Sequence, residues 1–188
     1  MHRLFVALTL PAAVRDLLLD TMDGAELKWQ AEEQLHLTLR FVGEVELPLA
    51  EDLADALHGL AFPAFPLQLR GVGRFDHGRR GALWAGVAPS EPLRTLAAKV
   101  ERACQRSGLG PERRAFHPHV TLARWSGGRP PIEAWMARHS AIASDAWTVR
   151  DFTLFESHLG RSGAHYEPVE TYPLLPSAAG EPISPTSR

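Results

Sequence analysis

Two short segments, "HLTL" from His36 and "HVTL" from His119, each set a histidine two residues ahead of a threonine, 119 − 36 = 83 residues apart. An imidazole titrates near pH ~6.5, so a facing pair can supply a general acid and a general base in neutral water. The hydroxyls of Thr38 and Thr121 are neutral donors for an anionic oxygen lying between the rings. An arginine would complete a phosphate-binding group through charge-assisted contacts, and Arg40 and Arg124 stand nearest in sequence. The chemistry these types describe is proton transfer on either side of a phosphoryl group. The residues by themselves do not say which ring is acid and which is base.

Both segments must be strands for this to work. Side chains alternate along a strand, which sets His36 and Thr38 on one face and Leu35, Leu37, Leu39 and Phe41 on the other. His119 and Thr121 likewise oppose Val120 and Leu122. The same alternation puts Arg40 on the His36 face but puts Arg124 on the wrong face. For Arg124 to join His119, the strand has to end, bulge or twist around Ala123.

The elements around the two segments repeat an order. "RLFVALTL" (3–10) reads as a first strand, followed at Pro11 by a helix with Val14, Leu17, Leu18 and Met22 on one face. The strand 35–41 follows, then a helix after Pro48 with Leu49, Leu53, Ala56, Leu57 and Leu60, then a strand 66–75. In the second half come a strand 82–87 and a helix 90–109, capped by Ser90 and striped by Leu93, Leu96, Ala97, Val100 and Cys104. A strand 117–125, a helix after Pro130 and Pro131, and strands 147–157 and 166–175 complete the set. A β-α-β-α-β order written twice predicts an α+β fold of two pseudo-symmetric lobes. Each lobe would be an antiparallel-type sheet with outer helices, and both histidine strands would face a central cleft. One bilobal domain is expected over 1–176, and the small, polar, proline-rich stretch 177–188 is expected to be unstructured.

The totals limit the partners. A chain of 188 residues with 45 % apolar and 22 % charged residues can bury a full core. Its formal net charge of −2 argues against tracking along nucleic acid, which needs a basic surface, and leaves room for a local basic pocket. Cys104 is the single cysteine, which excludes an internal disulfide and a thiolate metal site and fits a cytoplasmic setting. The N-terminal apolar run Leu4–Leu10 is short for a secretory signal and reads as a buried strand. No run approaches a membrane span.

Several further residues carry two readings. His117 shares a face with His119, and with His36 it offers three imidazoles for zinc, although no carboxylate or cysteine is placed to complete the set. "GRFDHGRRG", from Gly73, reads as a surface turn or, less simply, as a guide for an RNA strand. Trp84 and Phe5 sit in core-like strands, where packing is the simpler role. Tyr166 is within sequence reach of a base-contacting position. His58 and His77 are expected at the surface, and Cys104 is expected to be inert in its helical stripe.

The chain resembles the 2H phosphoesterases, specifically the bacterial and archaeal RNA 2′,3′-cyclic phosphodiesterases once described as 2′-5′ RNA ligases. The resemblance rests on "RLFVALTLP", "LHLTLRFVGEV", "LWAGV", "FHPHVTLAR" and "FTLFESHLGRSGAHYEPV", which together span the chain up to its tail. It implies opening of an RNA-terminal or nucleotide 2′,3′-cyclic phosphate to a 2′-phosphate, with no metal and no cofactor. It assigns His119 as the base that activates water and His36 as the acid that protonates the departing 3′ oxygen. Thr38, Thr121 and Arg124 would hold the non-bridging oxygens. The partners implied are RNA ends or nucleotides with a cyclic phosphate, met by a monomer. Rival activities are 2′-5′ ligation, cleavage of a small cyclic nucleotide, a metal-dependent phosphoesterase, and an RNA-end binding module without turnover.

Overall fold

The computed structural model describes residues 1–160 and 163–177. Among them, ten strands and four α-helices alternate. They are β1 (His2–Thr9), α1 (Ala12–Leu19), β2 (Lys28–Trp29), β3 (His36–Val45), α2 (Leu47–His58), β4 (Phe65–Leu67), β5 (Leu69–His77) and β6 (Arg80–Val87). The second part adds α3 (Glu91–Arg106), β7 (His119–Ser126), α4 (Glu133–His139), β8 (Trp147–Val149), β9 (Asp151–Gly160) and β10 (Gly163–Pro173). The residues 178–188, where the sequence predicts an unstructured tail, lie outside those described.

The main sheet runs β10-β9-β1-β3-β7-β6-β5, with β2 attached to β7, and its pairs are antiparallel. This order explains how a doubled β-α-β-α-β chain makes two lobes. In the first half β1 pairs with β3, and in the second β6 pairs with β7. The last strand of each half crosses over: β5 pairs with β6 of the second half, and β9 pairs with β1 of the first. Each lobe is thus completed by a strand from the other half of the chain. The lobes touch through β3 and β7 at one registered pair, Leu37 with Val120.

The crossing also corrects two expected strands. The stretch 66–75 is divided at Gln68 into β4 and β5, and 147–157 is divided at Arg150 into β8 and β9. The early pieces, β4 and β8, pair with each other in a two-stranded ribbon, while β5 and β9 depart to opposite sides of the large sheet. Ser144 secures one break: its hydroxyl accepts from the Leu69 amide at 3.0 Å, and its carbonyl accepts from the Gln68 side chain at 2.7 Å. Apolar periodicity runs through both breaks, so local pattern alone does not reveal them.

One hydrophobic core serves the whole sheet. β1 supplies Leu4, Val6 and Leu8, the two histidine strands supply Leu37, Leu39, Val120 and Leu122, and α3 supplies Leu93, Leu96 and Val100. Ser90 caps α3 by accepting from the Leu93 amide at 3.3 Å. Trp135 of α4 is buried and donates its indole N–H to the Thr21 carbonyl at 2.7 Å, tying α4 to the end of α1. The N-terminal apolar run is a central, buried strand, as its pattern predicts.

Candidate active site

The seam between the lobes puts the two His-x-Thr segments side by side. With Leu37 registered on Val120 in an antiparallel pair, His36 comes opposite Thr121 and Thr38 opposite His119. Leu37 and Val120 are fully buried on the core face, so the two histidines and two threonines share the other face. The histidines are then diagonal neighbours, about 7–8 Å apart at the backbone.

The two rings are held alike. Nδ1 of His36 donates to the Gln34 carbonyl at 2.7 Å, and Nδ1 of His119 donates to the His117 carbonyl at 2.7 Å. A carbonyl can only accept, so each Nδ1 carries a proton and each Nε2 keeps a free lone pair. Burial lowers His36 to about 4, with the Arg124 guanidinium and the His119 ring adding to the effect and the Gln34 contact opposing it. Burial also lowers His119 from its ordinary value, helped by His117 and Arg124. Both rings are neutral at neutral pH, each ready to take a proton on Nε2.

The parity problem at Arg124 is solved by a β-bulge. Along β6 and β7, Leu83 pairs with Ala123 and Trp84 with Thr121, which leaves Leu122 as the extra residue. The bulge reverses the alternation, and the exposed Arg124 extends its Nη2 to 3.5 Å from the Thr121 hydroxyl. The first segment carries the same device: Ala7 pairs with Thr38 and Val6 with Arg40, leaving Leu39 as the extra residue. There the bulge removes an arginine instead. Arg40, which simple alternation sets beside His36, packs toward α3 with its Nε 2.6 Å from Glu101 and Nη1 3.1 Å from Glu112. Phe41 takes the place that corresponds to Arg124.

Aromatic rings wall each histidine, and the sequence reading missed two of the five, Phe75 and Phe155. Beside His36 lie Phe5 at 4.8 Å and Tyr166 at 5.2 Å between ring centroids, with Phe155 stacked on Phe5 at 5.2 Å. Beside His119 lie Phe75 at 5.0 Å and Trp84 at 6.1 Å. Phe5 is buried and packs, as its strand predicts, but it packs with these rings and outside the main core cluster. Phe75 and Phe155 occupy matching places, each opposite the first strand of the other half: Phe75 on Ala82 and Phe155 on Phe5. "RFDH" and "LFES", 80 residues apart, were the available signal.

The remaining candidates separate from the cleft or from one another. His117 packs its ring on Trp84 at 4.8 Å and on Phe75 at 5.3 Å. Among the described residues no three side chains of metal-ligating type converge. "GRFDHGRRG" forms the β5–β6 hairpin, turning at Gly78 with φ +60°, where Arg74 pairs with Asp76 at 2.7 Å. His58 is exposed and lies 3.1 Å from Glu170. Cys104 is buried, which pushes its thiol up to about 11. Among the described residues no helix is long and apolar enough to cross a membrane.

A family profile described as the 2′-5′ RNA ligase superfamily matches residues 12–161. The RNA 2′,3′-cyclic phosphodiesterase of Aeropyrum pernix is 35 % identical over 83 % of this chain and 90 % of its own. That of Escherichia coli K12 is 31 % identical over 92 % of this chain and 97 % of its own. Among solved structures, E. coli LigT complexed with 3′-AMP superposes with a TM-score of 0.75 at 30 % identity, covering 92 % of this chain and 98 % of LigT. The TT0787 protein of Thermus thermophilus superposes with a TM-score of 0.74 at 26 % identity, covering 91 % and 97 % of the two chains. With the profile spanning most of its length and these relatives alike from end to end, the chain belongs to the 2′-5′ RNA ligase superfamily.

Proposed function

We propose that the protein hydrolyses the 2′,3′-cyclic phosphodiester at an RNA end to a 2′-phosphomonoester, by acid–base catalysis between His36 and His119 and without a metal. The observation that carries this reading is the diagonal placement of two imidazoles around the Leu37–Val120 pair, each with Nδ1 tied to a carbonyl and Nε2 free. Its relatives named as RNA 2′,3′-cyclic phosphodiesterases support the reaction.

In this mechanism the cyclic phosphate enters the cleft as a monoanion. Arg124, Thr121 and Thr38 hold its non-bridging oxygens, where charge grows as the phosphorus is attacked. His119 takes a proton from water through Nε2, and His36 gives one to the departing 3′ oxygen, while the 2′ oxygen stays bonded. The products are a 2′-phosphate and a free 3′ hydroxyl, and the two rings have exchanged protonation states. The burial of His36 runs against this division of roles, because it is the ring lowered to about 4. The bound anion must therefore draw the proton toward His36, against that bias. We further read the enzyme as a cytoplasmic monomer, consistent with its one buried cysteine.

The test is a product assay on an oligonucleotide with a 2′,3′-cyclic end, resolving 2′- from 3′-phosphate, for the wild type, His36→Ala and His119→Ala. The expected product is the 2′-phosphate, and each variant loses about 10²–10⁴-fold in turnover while retaining binding. Full activity in either variant refutes the mechanism.

A further inference from the structure

The pseudo-symmetry of the cleft is broken at its two ends. Beyond the Leu37–Val120 contact, the outer edge of β7 is covered by β2, with Lys28 on Arg124 and Trp29 on Ala123. Among the described residues, the corresponding edge of β3, from Leu39 onward, has no strand beside it, since β7 meets β3 only at that one pair. The segment 110–116, which precedes β7 in the chain as β2 precedes β3, forms no strand with β3 and is tied to it only through a side chain, Arg40, whose Nη2 donates to the Gly110 carbonyl at 2.8 Å. The result is a groove of about 520 Å³ that starts at Thr38 and His119 and runs over α3. A second hollow, of about 350 Å³, lies on the other side of the site, next to His36, Phe5, Phe155 and Tyr166.

The two spaces differ in charge. The groove is lined by three guanidiniums, Arg40, Arg94 and Arg114, against two carboxylates, Glu101 and Glu112. Arg40 and Arg114 engage those carboxylates, which leaves Arg94, with no ion pair among the described residues, as the uncompensated charge. The hollow beside His36 has one guanidinium, Arg15, paired with Glu32 at 3.0 Å, and leaves Glu33 uncompensated. A phosphodiester is favoured in the first and repelled from the second. The groove also presents Phe41, 40 % exposed, with Phe75 and Phe116 along its length. A positive groove with aromatic faces is the arrangement that tracks single-stranded nucleic acid through its phosphates and stacked bases.

We propose that the RNA chain 5′ of the terminal nucleotide leaves the active site through the groove between β3 and α3, with a backbone phosphate on Arg94, while the terminal nucleoside occupies the hollow beside His36. This polarity rests on the hydrolysis reading above and agrees with its division of roles. In-line attack puts water opposite the 3′ oxygen, so the ribose belongs on the side of His36, the acid. The consequence is a substrate class: short RNA ends with at least one nucleotide 5′ of the cyclic phosphate, in preference to free cyclic mononucleotides.

The experiment compares kcat/KM for a 2′,3′-cyclic mononucleotide and for a trinucleotide with the same end, in wild type, Arg94→Gln and Arg94→Glu. The wild type is expected to favour the trinucleotide about tenfold or more. That ratio should fall about tenfold in Arg94→Glu, with an intermediate value in Arg94→Gln, and the salt dependence for the trinucleotide should flatten by roughly one phosphate contact. Anisotropy titration of a 5′-labelled oligonucleotide ending in 2′-phosphate tests the same groove without turnover, and Arg94→Glu should weaken it about tenfold. No trinucleotide preference in the wild type, or a ratio and an affinity unmoved by Arg94→Glu, overturns the polarity. Absence of turnover by the wild type on both substrates refutes the hydrolysis reading instead, and the anisotropy titration then still decides the groove.

Discussion

The pH dependence of kcat/KM follows from how the two rings are buried. That parameter reports the free enzyme, and the reaction needs one proton shared by the pair: one ring protonated, the other neutral. In the free cleft His36 is lowered to about 4, and His119 is lowered below its ordinary 6.5. Below about 4 both rings are charged and the base is lost. Above the His119 midpoint both are neutral and the acid is lost. The profile should therefore be a bell whose plateau lies wholly on the acid side of pH ~6.5, falling tenfold per unit on either side. By pH ~8.5, at least two units past the second midpoint, kcat/KM should be at least about 100-fold below the plateau. The diester keeps one negative charge over this whole range, so the enzyme sets the shape. The assay is initial velocity at subsaturating cyclic-ended oligonucleotide, in buffers of constant ionic strength from about pH 3.5 to 9. A narrow peak centred at or above about 6.5 would show that desolvation does not govern these rings. A flat profile from about 5 to 9 would remove the imidazole pair from the mechanism.

Three other outcomes check separate parts of the site. With an activated acyclic diester such as bis(4-nitrophenyl) phosphate, whose leaving group needs no proton, His36→Ala should recover most of its relative loss and His119→Ala should not; the opposite pattern reverses the two roles. Arg124→Met should lower kcat/KM by about 10²-fold with little change in melting temperature, because the side chain is exposed and holds only a 3.5 Å bond to the Thr121 hydroxyl. Arg124→Lys should recover part of the rate by restoring the charge without the planar fork, and equal activity in Met and wild type would refute a phosphate contact. Gly73→Ala should destabilise the fold by about 1–3 kcal/mol, because the new Cβ would collide with the Trp84 indole lying across it. A variant as stable as wild type by urea unfolding would contradict that packing.

Much of the site was readable in the chain, because strand alternation is a local property. His36 shares a face with Thr38, and His119 with Thr121, for reasons contained within each tetrapeptide. The bulges at Leu39 and Leu122 were only half readable. The demand for one at the second segment came from Arg124 standing on the wrong face, but alternation gave no such warning for the first, and Arg40 was set in the cleft when it belongs to Glu101 and Glu112. A bulge is decided by what the neighbouring strand offers, here Ala7 opposite Thr38 and Trp84 opposite Thr121, and those partners lie far away in sequence.

The crossing of β5 and β9 is non-local in the same way, and it has a consequence for how the site is made. Each histidine strand is paired first with the leading strand of its own half, β3 with β1 and β7 with β6. Part of the aromatic wall at each ring comes from the other half: Phe155 on β9, stacked on the Phe5 that lies beside His36, and Phe75 on β5 beside His119. Burial lowers both imidazoles, and rings from both halves of the chain surround each one, so the proton affinity of each histidine is set by the two halves together. The duplication supplies two equivalent rings, and the exchange of last strands makes the surroundings of each ring depend on the other half of the chain. The differences that remain, β2 on one side and an open edge on the other, are then what can distinguish the two ends of an otherwise symmetric substrate phosphate.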